Sequence, residues 1–144
     1  HALSPEFFNS QADLLGFNNL EDAPLQDINT SHSIVNWLTA RAASRSKNMD
    51  ANHLLYLVRA CQLFVAGHQQ NLEKGLSTIK AKTLFLPANT DLLLMPYLSE
   101  RTHAMLNSMG KDTAIDMLSG SLGHLEGVAN VQAHRTRIRR FLEE

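Results

Sequence analysis

Two polar residues stand where an open parallel sheet gathers its chemistry. Asp91 ends the turn "PANTD" (87–91), which follows the apolar run Thr83 to Leu86, and His124 ends "SGSLGH" (119–124), which follows "KDTAIDML". If both runs are strands of one parallel sheet, both turns leave from the carboxyl edge, where loops vary without disturbing the core. Neighbouring parallel strands lie about 4.8 Å apart, so two such loops can bring a carboxylate and an imidazole within hydrogen-bond reach. The carboxylate would accept the Nδ1 proton, fix the tautomer and stabilise the imidazolium formed when Nε2 takes a proton from a nucleophile. Taken alone, an aspartate after a strand is more often a turn former or helix cap than a catalytic acid.

A nucleophile to complete that pair is harder to find. The glycines four apart, Gly123 and Gly127, enclose Leu125, so the sequence has no G-x-S-x-G elbow. Ser119 and Ser121 lie too near His124 to occupy a strand-to-helix turn of their own. Cys61 falls on the apolar stripe of a helix without a basic neighbour at i+3 or i+4, which is the setting of an inert buried thiol. The other histidines, at 1, 32, 53, 68, 103 and 134, form no metal-ligand spacing.

The elements that must carry Asp91 and His124 follow from periodicity. The first thirty residues show no sustained period and read as irregular connection with one short helix. From Thr30, the residues Ile34, Val35, Leu38 and Ala42 fall at helical spacing, with Ser31 or Ser33 as cap. A second helix begins at the cap Asp50, carries Ala51, Leu54, Leu55, Val58, Cys61 and Val65 on one stripe, and stops at Gly67. Leu57 and Phe64 broaden its apolar face, which predicts cover on more than one side. A short helix holds Leu72, Leu76 and Ile79. The period then changes, and Thr83 to Leu86 read as a strand buried on both faces. A helix starts at Pro96, runs to Met109 and ends at Gly110. "KDTAIDML" reads as a second strand, and a last helix turns Val131, Ile138, Phe141 and Leu142 inward, with Arg135, Arg137, Arg139 and Arg140 on its outer side. Strand, helix, strand, helix implies a parallel pair with a crossover, preceded by a helical region. The fold class is therefore α/β, divided into 1–79 (helical, with an irregular N-terminal connection) and 80–144 (β-α-β-α).

Composition narrows the partners. Thirteen basic and fourteen acidic residues in 144 give a formal charge of −1, which does not favour phosphate backbones or anionic lipid. No apolar run approaches the roughly 18 residues that span a bilayer, and a single cysteine makes no internal disulfide, as expected of a reducing, cytoplasmic setting. Nucleic acid and membrane are not expected as partners.

Three motifs taken in order, "DANHLLYLVRA", "IKAKTLFLPANTDLLLMP" and "GHLEGV" with the later "IRRFL", resemble the C-terminal half of an α/β-hydrolase of the homoserine O-acetyltransferase family. The resemblance runs from about Ile34 to the end of the sequence. In that family a "DANSYLYL"-like helix belongs to the lid, the Asp of an "SDxLFP"-like turn is the triad acid, and the His of a "GHDAF"-like turn is the triad base. Asp91 and His124 match those last two positions. The resemblance thus implies the C-terminal portion of an α/β-hydrolase fold with a helical lid. Its implied activity is acyl transfer from a small-molecule donor, an acyl-CoA, to a small-molecule acceptor through a serine supplied elsewhere, with no bound cofactor or metal. It also implies a homodimer through the lid helices, and a segment that is inactive without the serine. One departure bears on the acceptor: the family has an aspartate directly after the catalytic histidine, placed to hold the amino acid acceptor, and here Leu125 and then Glu126 follow. That favours a hydrolase of the same fold as the alternative reading, and a noncatalytic helical interaction module is a third.

Overall fold

The computed structural model describes residues 3–16, 27, 29–65 and 71–143. The stop expected at Gly67, and His1 and His68, lie outside the described residues. The chain divides into two compact units, Ser10–Phe64 and the pair of segments His1–Asn9 and Val65–Glu144. A short helix α1, Pro5–Gln11, opens the chain.

The Ser10–Phe64 unit contains two longer helices, α2 (Ser33–Ser46) and α3 (Ala51–Leu63). The residue that caps α2 is His32, with extended backbone and no side-chain capping bond, so neither expected serine takes that part and Ser33 already lies in the first turn. Asp50 does cap α3: its Oδ1 accepts from His53 N–H at 2.8 Å, satisfying one of the open donors of the first turn. On α2 the Arg41 guanidinium lies 4.8 Å from the Trp37 ring centroid, one turn away. The apolar side chains of α3 are not covered as expected; Leu54, Leu55, Leu57, Val58 and Leu63 are exposed. Two helices of this length do not present enough partner surface to bury an apolar girdle on more than one side.

The other unit holds the sheet. Asn71 caps α4 (Leu72–Ser77) through Lys74 N–H at 2.8 Å, and α4 packs on α5 (Pro96–Ser108). Strands β1 (Thr83–Phe85) and β2 (Thr113–Ile115) pair in parallel, with Thr83 opposite Thr113, Leu84 opposite Ala114 and Phe85 opposite Ile115. A parallel bridge between Ala88 and Leu118 carries the pairing past the strand ends. Helix α5 forms the crossover and packs on β2. Pro96 stands in its first turn, where a missing N–H costs nothing. Its far end closes when Gly110, at φ +70°, donates to Asn107 O at 3.0 Å and Lys111 N–H to Leu106 O at 3.1 Å. Leu76, Ala88, Leu106 and Leu118 are the buried apolar side chains at the centre of this unit. The strands, expected to be buried on both faces, are half-buried, because a sheet of two strands offers each strand one neighbour only.

Beyond β2 the single helix expected from the sequence is broken. A 3₁₀ turn (Gly123–Leu125), α6 (Glu126–Ala129), a second 3₁₀ turn (Val131–His134) and α7 (Arg135–Glu143) follow one another. The break falls at Asn130, whose φ of −124° departs from helical geometry. Val131, Ile138 and Phe141 are half-buried, while Leu142 is exposed. Arg137 is not purely an outward residue, since its Nε lies 3.3 Å from Asp116 Oδ2. Lys82 places its ammonium 4.9 Å from the Phe141 ring centroid and so holds α7 near the start of β1. No described helix is long and apolar enough to cross a membrane.

Candidate active site

The turn after β1 is built around the Asp91 carboxylate. Asp91 N–H closes the turn onto Ala88 O at 3.2 Å, and Oδ1 accepts from Leu93 N–H at 2.8 Å and Leu94 N–H at 2.9 Å. This is the local side-chain-to-backbone geometry that aspartate favours in turns. Here it uses only one of the two oxygens. The other, Oδ2, lies 2.9 Å from His124 Nδ1. Because a carboxylate only accepts, Nδ1 carries the proton and donates it, which leaves Nε2 of the neutral ring with its lone pair. The His124 side chain retains 34% of its exposure, against 8% for that of Asp91. The pair therefore has a buried orienting member and an accessible reacting one.

Electrostatics agree with that division. Burial pushes the Asp91 pKa up, but hydrogen bonds from the His124 ring and from the Leu94 and Leu93 amides, with the attraction of the imidazole, outweigh it and hold the carboxyl below the ordinary aspartate value. Asp91 is thus a carboxylate at neutral pH. A cavity of about 250 Å³ opens beside the pair, with Leu86, Leu94 and Leu118 contributing apolar walls and Ser99, Asp91 and His124 polar ones.

The two turns are also stitched to each other. Asn89 N–H donates to Leu118 O at 3.0 Å, and Asn89 Oδ1 accepts from Gly120 N–H at 3.3 Å. Thr90 Oγ1 donates to Gly120 O at 2.8 Å and accepts from Gly123 N–H at 3.2 Å. Asp91 and His124 are 33 residues apart in sequence, and these four bonds set their loops in fixed register.

No family model matches the sequence. Among solved structures, that of esterase E22 superposes with a TM-score of 0.87 over 98% of this chain, at 66% sequence identity, and the matched part is 38% of that protein's chain. This chain folds as the C-terminal part of an α/β-hydrolase. The homoserine O-acetyltransferase of Bacillus anthracis shares the fold at a TM-score of 0.82 and 22% identity, over 99% of this chain and 38% of its own. In sequence, the chain resembles the homoserine O-acetyltransferases: that of Geobacter metallireducens is 29% identical over 96 residues, 66% of this chain. The chain spans about a quarter of the length of the curated relatives it matches.

In an α/β-hydrolase the triad acid precedes the triad base in the sequence, and Asp91 and His124 stand in that order after successive strands. Sequence reasoning placed these two residues and missed those that fix them. Asn89 and Thr90 read simply as turn formers, and Glu126 only as a departure from the family's motif. Ser4, whose Oγ donates to Ser121 O, lies 117 residues from its partner, beyond the reach of any periodicity argument. For Thr90 the available signal is a hydroxyl directly before the acid in a strand-end turn.

Proposed function

We propose that Asp91 and His124 are the acid and base of a Ser-Asp-His triad, in an enzyme that moves an acyl group through a serine and delivers it to water. The observation that carries this reading is the 2.9 Å bond from His124 Nδ1 to Asp91 Oδ2, with the other Asp91 oxygen pinned by two backbone amides. The chemistry follows from that geometry. His124 Nε2 takes the serine hydroxyl proton as the oxygen bonds to the acyl carbon, and gives it to the departing alkoxide or thiolate. Water then repeats the cycle in reverse, His124 deprotonating it as it attacks the acyl-serine and returning the proton to the serine oxygen. The carboxylate of Asp91 stabilises the imidazolium at each stage without taking its proton. The serine and the oxyanion donors would come from other parts of the polypeptide, so this segment alone is expected to be inactive.

Two observations favour water as acceptor: the 66% identity to a protein called an esterase, and Leu125, a leucine directly after the base where the acetyltransferase motif has an aspartate. The second reading is an acyltransferase with an acyl-CoA donor, favoured by the similarity to homoserine O-acetyltransferases. The complete enzyme, supplied with short-chain acyl esters and acetyl-CoA, with and without homoserine, separates them. Hydrolysis that is unaffected by acceptor supports the esterase. Acetyl-homoserine formed at the expense of acetate supports the transferase. His124→Ala is expected to lower either activity by about 1,000-fold or more; activity at the wild-type level in that variant overturns both.

A further inference from the structure

Glu126 is a fully buried carboxylate two residues after His124, at 0% exposure, and the triad reading gives it no task. Its two oxygens are both engaged. Oε2 accepts from Leu122 N–H at 3.1 Å, and Oε1 accepts from the Asn130 side-chain amide. The first bond closes the segment 122–126 into a ring that contains His124. The space is shaped around this group: a Cβ built on Gly120 would overlap the Glu126 carboxylate, so only glycine fits there without displacing it. Every residue of the segment that leads to His124 is held by a side chain. Asn89 and Thr90 hold Gly120, Ser4 holds Ser121, Glu126 holds Leu122 and Thr90 holds Gly123. Burying a carboxylate carries a desolvation cost that an apolar side chain of the same size would avoid. What the carboxylate gives in exchange is direction: two acceptors fixing a backbone amide and a side chain at set angles.

We propose that Glu126 is a positioning residue, holding the 120–124 turn so that His124 Nδ1 stays on Asp91 Oδ2 and Nε2 keeps its aim. This rests on the triad reading above. It is tested in the complete enzyme with Glu126→Ala, Glu126→Gln and Asn130→Ala, with His124→Ala as reference. The readouts are kcat and KM taken separately, the low-field proton resonance of His124 Nδ1, and thermal unfolding.

A misplaced base raises the barrier without weakening ground-state binding, so Glu126→Ala is expected to lower kcat about 10- to 100-fold with KM changed less than about twofold. The Nδ1 resonance should broaden or vanish. In Glu126→Gln, Oε1 can still accept from Leu122 N–H while the Asn130 amide turns to present its oxygen, so most of kcat and the resonance should return. Asn130→Ala frees one oxygen only and should show the same changes in weaker form. A Glu126→Ala protein that loses thermal stability but keeps wild-type kcat and resonance overturns the proposal, since that is a purely structural role. If Glu126→Ala does not fold, Asn130→Ala decides in the same way, wild-type kcat with an unchanged resonance again overturning it. Failure of the triad reading would appear separately, as wild-type activity in His124→Ala.

Discussion

At the scale of single residues, the Asp91 carboxylate is the group on which the site turns, and its ionisation ties stability to catalysis. Its pKa is depressed in the fold, so the sign of the linkage is settled: the stabilisation is fully present above the unfolded value of about 3.9 and is lost as the pH falls through the lower folded value. Asp91→Asn keeps the size of the side chain but loses the charge and one of the acceptors. Thermal unfolding of the wild type and the variant should therefore differ most near neutral pH, and the two midpoints should converge below about pH 4, where the wild-type group is itself protonated. A gap that stays constant down to about pH 2 would mean that the carboxylate's charge is not what the variant removes. In the complete enzyme the same substitution should cost about 10,000-fold in kcat, because the amide no longer selects the tautomer with the proton on Nδ1.

Among the elements, the β1–α5–β2 crossover brings the two turns together, and its two ends have separate tasks. The carboxyl ends of the strands carry Asp91 and His124, whereas Gly110 closes α5 at the opposite end, ahead of β2, in the left-handed region at φ +70° with open space where a Cβ would go. Gly110→Ala therefore meets backbone strain and no clash, and should cost about 1 kcal/mol, seen as a fall of several degrees in Tm. With the strand between it and the dyad, kcat at a temperature where the variant is folded should be unchanged; a matching loss of kcat would show that helix closure reaches the site. The ends of α5, the Asp50 cap and the short strands were legible because each rests on local chemistry: a proline without a donor, a glycine at positive φ, a side-chain acceptor over open amides. The break after β2 was not. It depends on Glu126 turning back to Leu122 and Asn130, a tertiary arrangement in which a charged residue is buried, whereas periodicity alone assigns a glutamate to solvent. The cap of α2 misled for a related reason: three hydroxyl-bearing candidates precede Ile34, and sequence ranks them by type, while the backbone turns at His32.

Across the whole molecule, apolar side chains lie open in both units. In Ser10–Phe64 they are Leu54, Leu55, Tyr56, Leu57, Leu63 and Phe64, and in the sheet-bearing unit they follow Asp91 directly as Leu92, Leu93, Leu94, Met95, Tyr97 and Leu98. The second run is informative because it is contiguous with the site. A solvated surface loop next to a catalytic acid would carry polar residues, and a contiguous apolar patch of this kind is a surface for contact. Its sequence also explains why residue patterning read the turn correctly and its surroundings less well: "DLLLMP" has the composition of core, yet the side chains that would make it core are not in this chain. The matched portion of esterase E22 is 38% of that protein, so an ordinary explanation is contact with the remainder of such a fold. The isolated 144-residue chain should therefore bind anilinonaphthalene sulfonate strongly and self-associate as its concentration rises in sedimentation, and the complete enzyme should do neither through these residues. Replacing Leu92 and Leu93 with serine should lower dye binding by the isolated chain without loss of helical circular dichroism, since neither side chain is buried within it. Dye binding that is absent from the start, in a monomeric chain, would mean that these leucines fold back on a surface of their own.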